Sequence, residues 1–142
     1  MSGPVLDARG VTEFLDEVWP GITQTMHIES VTDRYARLRM TATPDRLRPG
    51  GIVSGPTLMS LADAAVWAAV LGMIGPVAMA VTADITMHFL RPVPAGDVVA
   101  DARLYRVGRR LATGDVLVYA DGDPEPVAHA VVTYAIPPTT AD

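Results

Sequence analysis

The chain has 142 residues, of which 49% are apolar, and it contains no cysteine. This length suits a single domain, predicted over residues 1–142, and the apolar share is large enough for a core without covalent cross-links. The lack of cysteine excludes disulfides, thiolate zinc sites and a cysteine nucleophile. A net charge of −5 without clustered basic residues argues against a nucleic-acid partner.

The first ten residues, MSGPVLDARG, show no basic start followed by an apolar run. No signal peptide is predicted from this pattern, and we expect a cytoplasmic protein. The stretch from residue 58 to residue 81 is almost wholly apolar and long enough to span a bilayer. Asp63 lies within it, however, and a charge near the centre of a bilayer costs about 2.5–3.5 kcal/mol on insertion scales. We therefore predict a buried helix and no membrane association.

Two helices are predicted from the spacing of apolar residues. A short amphipathic helix over residues 11–19 ends at Pro20-Gly21. A longer helix over residues 56–75 begins with Pro56, whose missing N–H costs nothing at the first helical position. This longer helix is apolar on every side, which is typical of a helix enclosed by other structure.

Six strands are predicted from alternating apolar residues, with a loop over residues 43–51 and a frayed tail over residues 137–142. The last four strands are joined by short turns and therefore pair antiparallel. One long apolar helix against one curved antiparallel sheet is an α+β hotdog arrangement, and the apolar circumference of the helix predicts a partner subunit. The predicted strands cover residues 22–31, 35–41, 80–91, 98–107, 111–120 and 127–136.

Asp63 is the first candidate for a functional group. It is the only ionisable residue between Pro56 and Ala83, in the middle of the predicted buried helix. A carboxylate without partners is expensive there, and such carboxylates concentrate at functional sites. The alternative is a carboxylate that is hydrogen-bonded within the protein, or held at a subunit interface, without a catalytic role.

Two other positions could assist a carboxylate. At the start of the helix, after Ser54, the backbone N–H of Gly55 can stabilise an oxyanion, although the same residues also form an ordinary helix cap. Thr82 begins the strand that follows the helix. Simple alternation places Thr82 on the polar face of that strand, together with Asp84 and His88.

Arginines near the predicted turns are candidates for binding phosphate groups. Arg109 and Arg110 lie at one turn and Arg91 flanks the same strands, although a solvated turn explains them equally well. No nucleotide-binding, serine-hydrolase or metal-binding motif is present, so neither a metal nor a cofactor is predicted. The histidines are scattered singly over three predicted strands, as His27, His88 and His129.

Two stretches, GGIVSGPTLMSLADAAVWAA and AVTADITMHFLRPVPAGDVVADARLYRVGRRLA, carry motifs in a specific order and spacing. They resemble the PaaI-type hotdog thioesterases, which have His-Gly-Gly before a helix with Leu-Ala-Asp, then F-L-R-P, G-D and G-R-R-L-A. Asp63 lies nine residues after Ser54, as the family aspartate lies nine residues after its histidine. The resemblance covers roughly residues 30 to 136.

The resemblance implies an acyl-CoA thioesterase in which Asp63 is the general base or nucleophile. The Gly55 N–H would polarise the thioester carbonyl, and Thr82 would help to place water. The resemblance also implies a homodimer, assembled into a dimer of dimers, with each site at a dimer interface. Coenzyme A would be part of the substrate and not a held cofactor.

The sequence departs from the family pattern at three positions. Ser54 replaces the histidine, Pro56 replaces the second glycine, and Arg48 stands where an asparagine is frequent. Arg48 could donate to the thioester carbonyl or bind a carboxylated acyl group, and Ser54 is grouped with it as a substrate-binding residue. The lost histidine keeps a non-catalytic acyl-CoA binder as the alternative. An enoyl-CoA hydratase or dehydratase is disfavoured because no histidine follows Asp63 closely.

Overall fold

The computed structural model describes residues 3–138, and its longest helix, α3 (Gly55–Ile74), runs along the inside of a curved antiparallel sheet. The Ser54 side chain caps α3 by accepting a hydrogen bond from the Thr57 N–H at 3.3 Å. Gly75 ends the helix with a φ of 91°, a conformation that favours glycine. The long helix expected over residues 56–75 therefore lies within one residue of its predicted bounds.

Within residues 3–138, two further α-helices precede α3, and eight strands complete the fold. Helix α1 is Ala8–Val18 and α2 is the single turn Ile22–Thr25. The strands are β1 (Met26–Thr32), β2 (Tyr35–Thr41), β3 (Leu47–Arg48), β4 (Ile52–Val53), β5 (Val81–Phe89), β6 (Asp97–Val107), β7 (Leu111–Ala120) and β8 (Pro126–Ala135).

Six of these strands form one antiparallel sheet in the order β1-β2-β6-β7-β8-β5, and β3 pairs only with β4 in a small separate hairpin. The strands β2 and β6 show the predicted alternation. Ala36, Leu38 and Met40 are at most 1% exposed on the inner face, whereas Arg37 and Arg39 point outward. The sheet curves around α3, so the predicted α+β hotdog fold is confirmed.

Two predictions for the chain before α3 were wrong. Residues 22–25 form the helical turn α2 and not the start of a strand, because Gly21 reverses the chain with a φ of 94° and the Ile22 N–H then bonds the Trp19 carbonyl at 3.1 Å. The predicted loop over residues 43–51 contains a 3₁₀ turn, Pro44–Arg46, and most of the β3–β4 hairpin. Of the tail predicted over residues 137–142, residues 139–142 lie outside the described residues.

Helix α3 is long and apolar enough to cross a membrane, with a mean hydropathy of 1.7. It is nevertheless the core helix of this fold, since it packs against strands of the main sheet from one edge to the other. Its apolar composition thus reflects burial inside the protein.

Strand β5 has an open edge and a bulge. It pairs only with β8, so within residues 3–138 its other edge has no strand beside it. The register shifts between Thr82 and Asp84, because Thr82 lies opposite Tyr134 and Asp84 lies opposite Thr133. The extra residue, Ala83, moves Thr82 onto the inner face, where Tyr134 is buried. The predicted grouping of Thr82 with the outward Asp84 was therefore wrong.

Candidate active site

The carboxylate of Asp63 is held by two hydroxyl groups. The Thr82 hydroxyl donates to Asp63 Oδ1 at 2.7 Å, and the Tyr134 hydroxyl donates to the same oxygen at 2.7 Å. Helix α3 supplies the carboxylate, and the bulged start of β5 and the end of β8 supply the donors. The three side chains meet because Thr82 and Tyr134 are cross-strand neighbours facing α3.

Tyr134 stays protonated and is therefore a constant donor to Asp63. Burial raises the pKa of Tyr134, while its contact with Thr82 lowers that pKa and the adjacent carboxylate raises it further. Its hydroxyl also lies 3.2 Å from the backbone carbonyl oxygen of Asp63. Tyr134 thus fixes the orientation of the carboxylate from the sheet side.

The second carboxylate oxygen, Asp63 Oδ2, receives no hydrogen bond from any residue in the range 3–138. A carboxylate oxygen can accept two hydrogen bonds, so both of the positions on Oδ1 are occupied and those on Oδ2 are vacant. The arrangement leaves one defined oxygen atom to accept a proton from water or to attack a carbonyl carbon. The first reaction is general-base catalysis and the second is nucleophilic catalysis.

A second polar feature lies at the start of α3. The Gly55 N–H has no partner within the described chain, and Pro56 has no N–H. The Ser54 hydroxyl lies 2.8 Å from the Thr57 hydroxyl and caps the helix, so the structure places Ser54 in a capping role. The ring of Phe89, at the end of β5, covers Gly55: a Cβ there would lie 3.4 Å from Phe89 Cζ.

Gly55 and Asp63 do not come together within one chain. They are eight residues apart on a continuous helix, which corresponds to ~12 Å along its axis. One thioester carbonyl group cannot contact both at that distance. Within one chain the structure therefore brings Asp63 together with Thr82 and leaves Gly55 at the other end of β5.

A cavity of about 640 Å³ opens beside Asp63. It lies between the two edge strands β1 and β5, with α1 and α2 on one side, and most of its wall is apolar. Trp19 and Trp67 line it, with ring centroids 6.1 Å apart, and Trp67 follows Asp63 by one helical turn. A cavity with apolar walls next to a carboxylate suits the acyl part of a substrate. None of the three histidines lines it.

The predicted phosphate-binding arginines lie at opposite ends of the sheet. The Arg91 guanidinium donates to Asp123 Oδ2 at 3.2 Å and to the Glu125 carbonyl at 2.7 Å, beside the turn between β7 and β8. Arg109 and Arg110 are exposed at the β6–β7 turn. The length of β8 separates the two groups by ~30 Å, so within one chain they cannot bind the same phosphate.

The arginine at the cavity is Arg46 and not Arg48. Arg48 is exposed, and its guanidinium contacts only the Pro49 carbonyl, at 3.4 Å, among the described residues. Arg46 lines the cavity together with Asp63. Sequence reasoning missed both Arg46 and Tyr134. Tyr134 carried a usable signal, because a tyrosine among the inward apolar positions of β8 needs a hydrogen-bond partner.

The comparisons with known proteins identify the family of this chain. The model of the Thioesterase superfamily matches residues 50–127. A predicted thioesterase from Silicibacter sp. TM1040 has a crystal structure that is 40% identical, with a TM-score of 0.87 over 95% of this chain and 94% of that chain. A predicted esterase of Saccharolobus solfataricus is 30% identical over 94% of this chain and 87% of its own length.

The structure of a variant of the phenylacetic acid degradation protein PaaI from Thermus thermophilus is 25% identical, with a TM-score of 0.69, and covers 88% of this chain and 99% of that chain. The superfamily match spans more than half of the sequence and includes α3 with its Asp63. These similarities place the protein among hydrolases of thioesters in general. The chain therefore belongs to the thioesterase superfamily, as a PaaI-like member with the hotdog fold.

Proposed function

We propose that this protein hydrolyses acyl-CoA thioesters with Asp63 as the catalytic carboxylate. The observation that carries the proposal is the asymmetric bonding of Asp63, whose Oδ1 is fixed by Thr82 and Tyr134 while Oδ2 is without a partner in the described chain. The adjoining apolar cavity supports an acyl substrate. Coenzyme A enters as part of the substrate, and no cofactor takes part.

In the proposed reaction, Oδ2 removes a proton from water, and the resulting hydroxide attacks the thioester carbonyl carbon. The oxyanion that forms accepts a hydrogen bond from the Gly55 N–H. The carbon–sulfur bond then breaks, and the coenzyme A thiolate takes up the proton held by Asp63. If Oδ2 instead attacks the carbonyl carbon directly, the carbon–sulfur bond breaks, the coenzyme A thiolate leaves and an acyl-enzyme anhydride forms. Water then hydrolyses the anhydride to the free acid and the Asp63 carboxylate, and the thiolate takes up the proton released from that water. The Thr82 oxygen still has lone pairs with which to orient the water in either case.

The ~12 Å between Gly55 and Asp63 of one chain requires a second copy to complete the site. We place this second copy at the open edge of β5. Val81 is 47% exposed and Phe89 51% exposed on this strand. If two β5 strands pair antiparallel about a twofold axis, the Thr82 end of one meets the Phe89 end of the other. Gly55 of the partner then approaches Asp63.

The same pairing accounts for the positions of the arginines. It brings Arg91 of one chain to the end of the sheet where the partner carries Arg109 and Arg110. These three residues would together bind the phosphates of coenzyme A, in keeping with the preference of guanidinium groups for phosphate oxygens. The homodimer is thus the proposed catalytic unit, and two dimers would associate into a tetramer in a cytoplasmic enzyme.

The direct test is free-thiol release from short, medium, long and aromatic acyl-CoAs by wild type and Asp63→Asn. Loss of the base should lower kcat by ~10²–10⁴. Asp84→Asn is the matched control, because Asp84 lies two residues after Thr82 but faces outward. Wild-type turnover in Asp63→Asn would refute the mechanism. Binding of acyl-CoA without thiol release by the wild type would favour the non-catalytic binder.

A mixing experiment tests the shared site. Asp63→Asn and Gly55→Pro dimers should each be inactive, since proline removes the N–H and is tolerated at a helix start. If each site combines Asp63 of one chain with Gly55 of its partner, one of the two sites in a mixed dimer keeps both groups. An equimolar mixture after subunit exchange should regain about a quarter of wild-type activity. No recovery, with exchange confirmed by mass spectrometry, would show that each chain carries its own site.

A further inference from the structure

Arg46 differs from the arginines that form ion pairs with carboxylates. The structure pairs Arg37, Arg39 and Arg91 with carboxylates at distances of 2.8–3.2 Å. Arg46 has no carboxylate within 4 Å in residues 3–138, and its Nη1 instead lies 3.3 Å from the Met40 sulfur. A thioether is a weak acceptor, so most of the five guanidinium donors have no strong partner.

The position of Arg46 is fixed by the start of α3. Its carbonyl oxygen accepts the Ser54 N–H at 3.0 Å and the Thr57 hydroxyl at 3.3 Å. The Met40 side chain that its guanidinium contacts is only 1% exposed, on the inner face of β2. The head group of Arg46 therefore lies against the inner face of β2, and Arg46 lines the cavity beside Asp63 as well as a smaller cavity that includes His27 and Asp45.

Most of the hydroxyl groups of this wall already have partners. The hydroxyls of Thr82 and Tyr134 donate to Asp63. The Thr23 hydroxyl donates to Asp16, and the Thr25 hydroxyl donates to the Ile22 carbonyl. Trp67 also lines the cavity, and its buried Nε1–H has no partner in the described chain. Besides this neutral donor and the exposed Ser60, the cavity offers a ligand one charged group with unused donors, the guanidinium of Arg46.

We infer that Arg46 selects acyl groups that carry a carboxylate at the end remote from the thioester. The inference rests on the proposed function, since it takes the cavity as the acyl site. The thioester lies at Asp63, the apolar walls contact the methylene groups, and the terminal carboxylate pairs with the guanidinium. Such a substrate is the coenzyme A monothioester of a dicarboxylic acid. The fork geometry of arginine suits a carboxylate, and pairing would compensate a charge that is now partly buried.

The test compares matched ligands that differ only at the far end, suberyl-CoA against octanoyl-CoA and adipyl-CoA against hexanoyl-CoA. Affinity is measured with thioether analogues, in which a methylene replaces the thioester carbonyl, so the result does not depend on catalysis. Wild type should prefer the carboxylated member of each pair. Arg46→Gln should weaken its binding by a factor on the order of 10–100 and leave the alkyl analogue unaffected.

Two control variants separate charge pairing from a loss of folding and from a general loss of positive charge. Arg46→Lys keeps the charge and should keep part of the preference, even if Arg46→Gln loses stability. Arg103→Gln removes an exposed arginine that contacts Tyr35 and should change neither affinity. Equal weakening of both analogues by Arg46→Gln would assign Arg46 to the coenzyme A part and overturn the inference. So would a wild-type preference for the alkyl analogue.

Catalysis is followed separately by thiol release from the true thioesters. If the carboxylated analogues bind selectively but no thiol is released, the proposed hydrolysis fails while the selectivity of Arg46 stands. If octanoyl-CoA is hydrolysed faster than suberyl-CoA and binds more tightly, the hydrolysis stands and the inference about Arg46 is wrong. A preference for neutral hydroxy or keto acyl groups over both classes would also contradict it.

Discussion

Charged groups are paired on the outer surface of β1, β2 and β6 but not in the wall of the cavity beside Asp63. On the outer surface Glu29 binds both Arg37 and Arg39, which in turn bind Asp101 and Asp97. Each of these charged groups has an opposite charge beside it. In the cavity wall the one carboxylate is held by neutral hydroxyls, and Arg46 has no carboxylate within 4 Å in the described chain.

This difference separates charges that serve the fold from charges placed for a ligand. A paired network in solvent has its partners already and gains little from another molecule. A carboxylate with one vacant oxygen and a guanidinium with unused donors keep hydrogen-bonding capacity that a substrate can take up on binding. Three further predictions follow from the contrast between the two regions.

Tyr134→Phe should have the largest effect of the three, on activity. It removes one of the two donors that fix Asp63 while keeping the ring, and a hydrogen bond to a charged group is worth about 1.5–3 kcal/mol. We expect kcat to fall by ~10–100-fold with little change in KM. Thiol release measures kcat, and thermal unfolding measures whether the variant keeps its fold. A fall in kcat that is matched by a loss of folded protein would indicate a purely structural role.

The outer network should control stability in acid. The hydrogen bond from Arg39 lowers the pKa of Glu29 most strongly, although slight burial raises it, and the Thr41 hydroxyl followed by Arg39 lowers the pKa of Asp97. A lowered folded-state pKa stabilises the fold above the ordinary carboxyl pKa, and this stabilisation is lost as the pH falls through the lower value. The free energy of unfolding should therefore decline below about pH 4.

The double variant Glu29→Gln/Asp97→Asn checks this assignment. It should be less stable than wild type at pH 7 and lose less stability between pH 7 and pH 3, as measured by urea unfolding. Thiol release at pH 7 should be unchanged, because neither residue lines the cavity. Equal declines in the two proteins would show that other carboxylates control acid unfolding.

The smallest effect is expected for Arg37→Gln. The Arg37 side chain is 37% exposed and bonds Glu29 and Asp101, so its removal should cost less than ~1 kcal/mol, as for surface pairs in general. Thermal unfolding measures the change, and the acyl-CoA assay should show wild-type kinetics. A clear loss of activity would mean that the two regions are coupled.

The fold was predictable because its main signals are local. The alternation over residues 35–41 and the unbroken apolar run of α3 specify a half-buried strand and an enclosed helix, whatever the rest of the chain does. Asp63 was recognisable for the same reason, as a lone charge in that run. Both bounds of α3 were found to within one residue.

The rest of the site depends on pairing and on irregular backbone. Tyr134 lies 71 residues from Asp63 in the sequence, and only the β5–β8 register brings them together. Arg46 sits in a 3₁₀ turn, where no periodicity states which way a side chain points, so the motif comparison led to Arg48 instead. The structure identifies both residues because it shows which strands pair and how the 3₁₀ turn orients Arg46.

The bulge at Ala83 has a consequence for how sequences of this kind are aligned. The side chain of Ala83 takes no part in the hydrogen bonds to Asp63, so many small residues would serve at this position. Deleting Ala83 would leave Thr82 directly before the outward Asp84, so plain alternation would still place Thr82 opposite Tyr134 and facing α3. A sequence with one residue fewer here would align with this chain only across a gap, although its threonine would occupy the same place beside the carboxylate. The site therefore depends on which residue lies opposite Tyr134 and not on a fixed number of residues between Thr82 and the rest of β5.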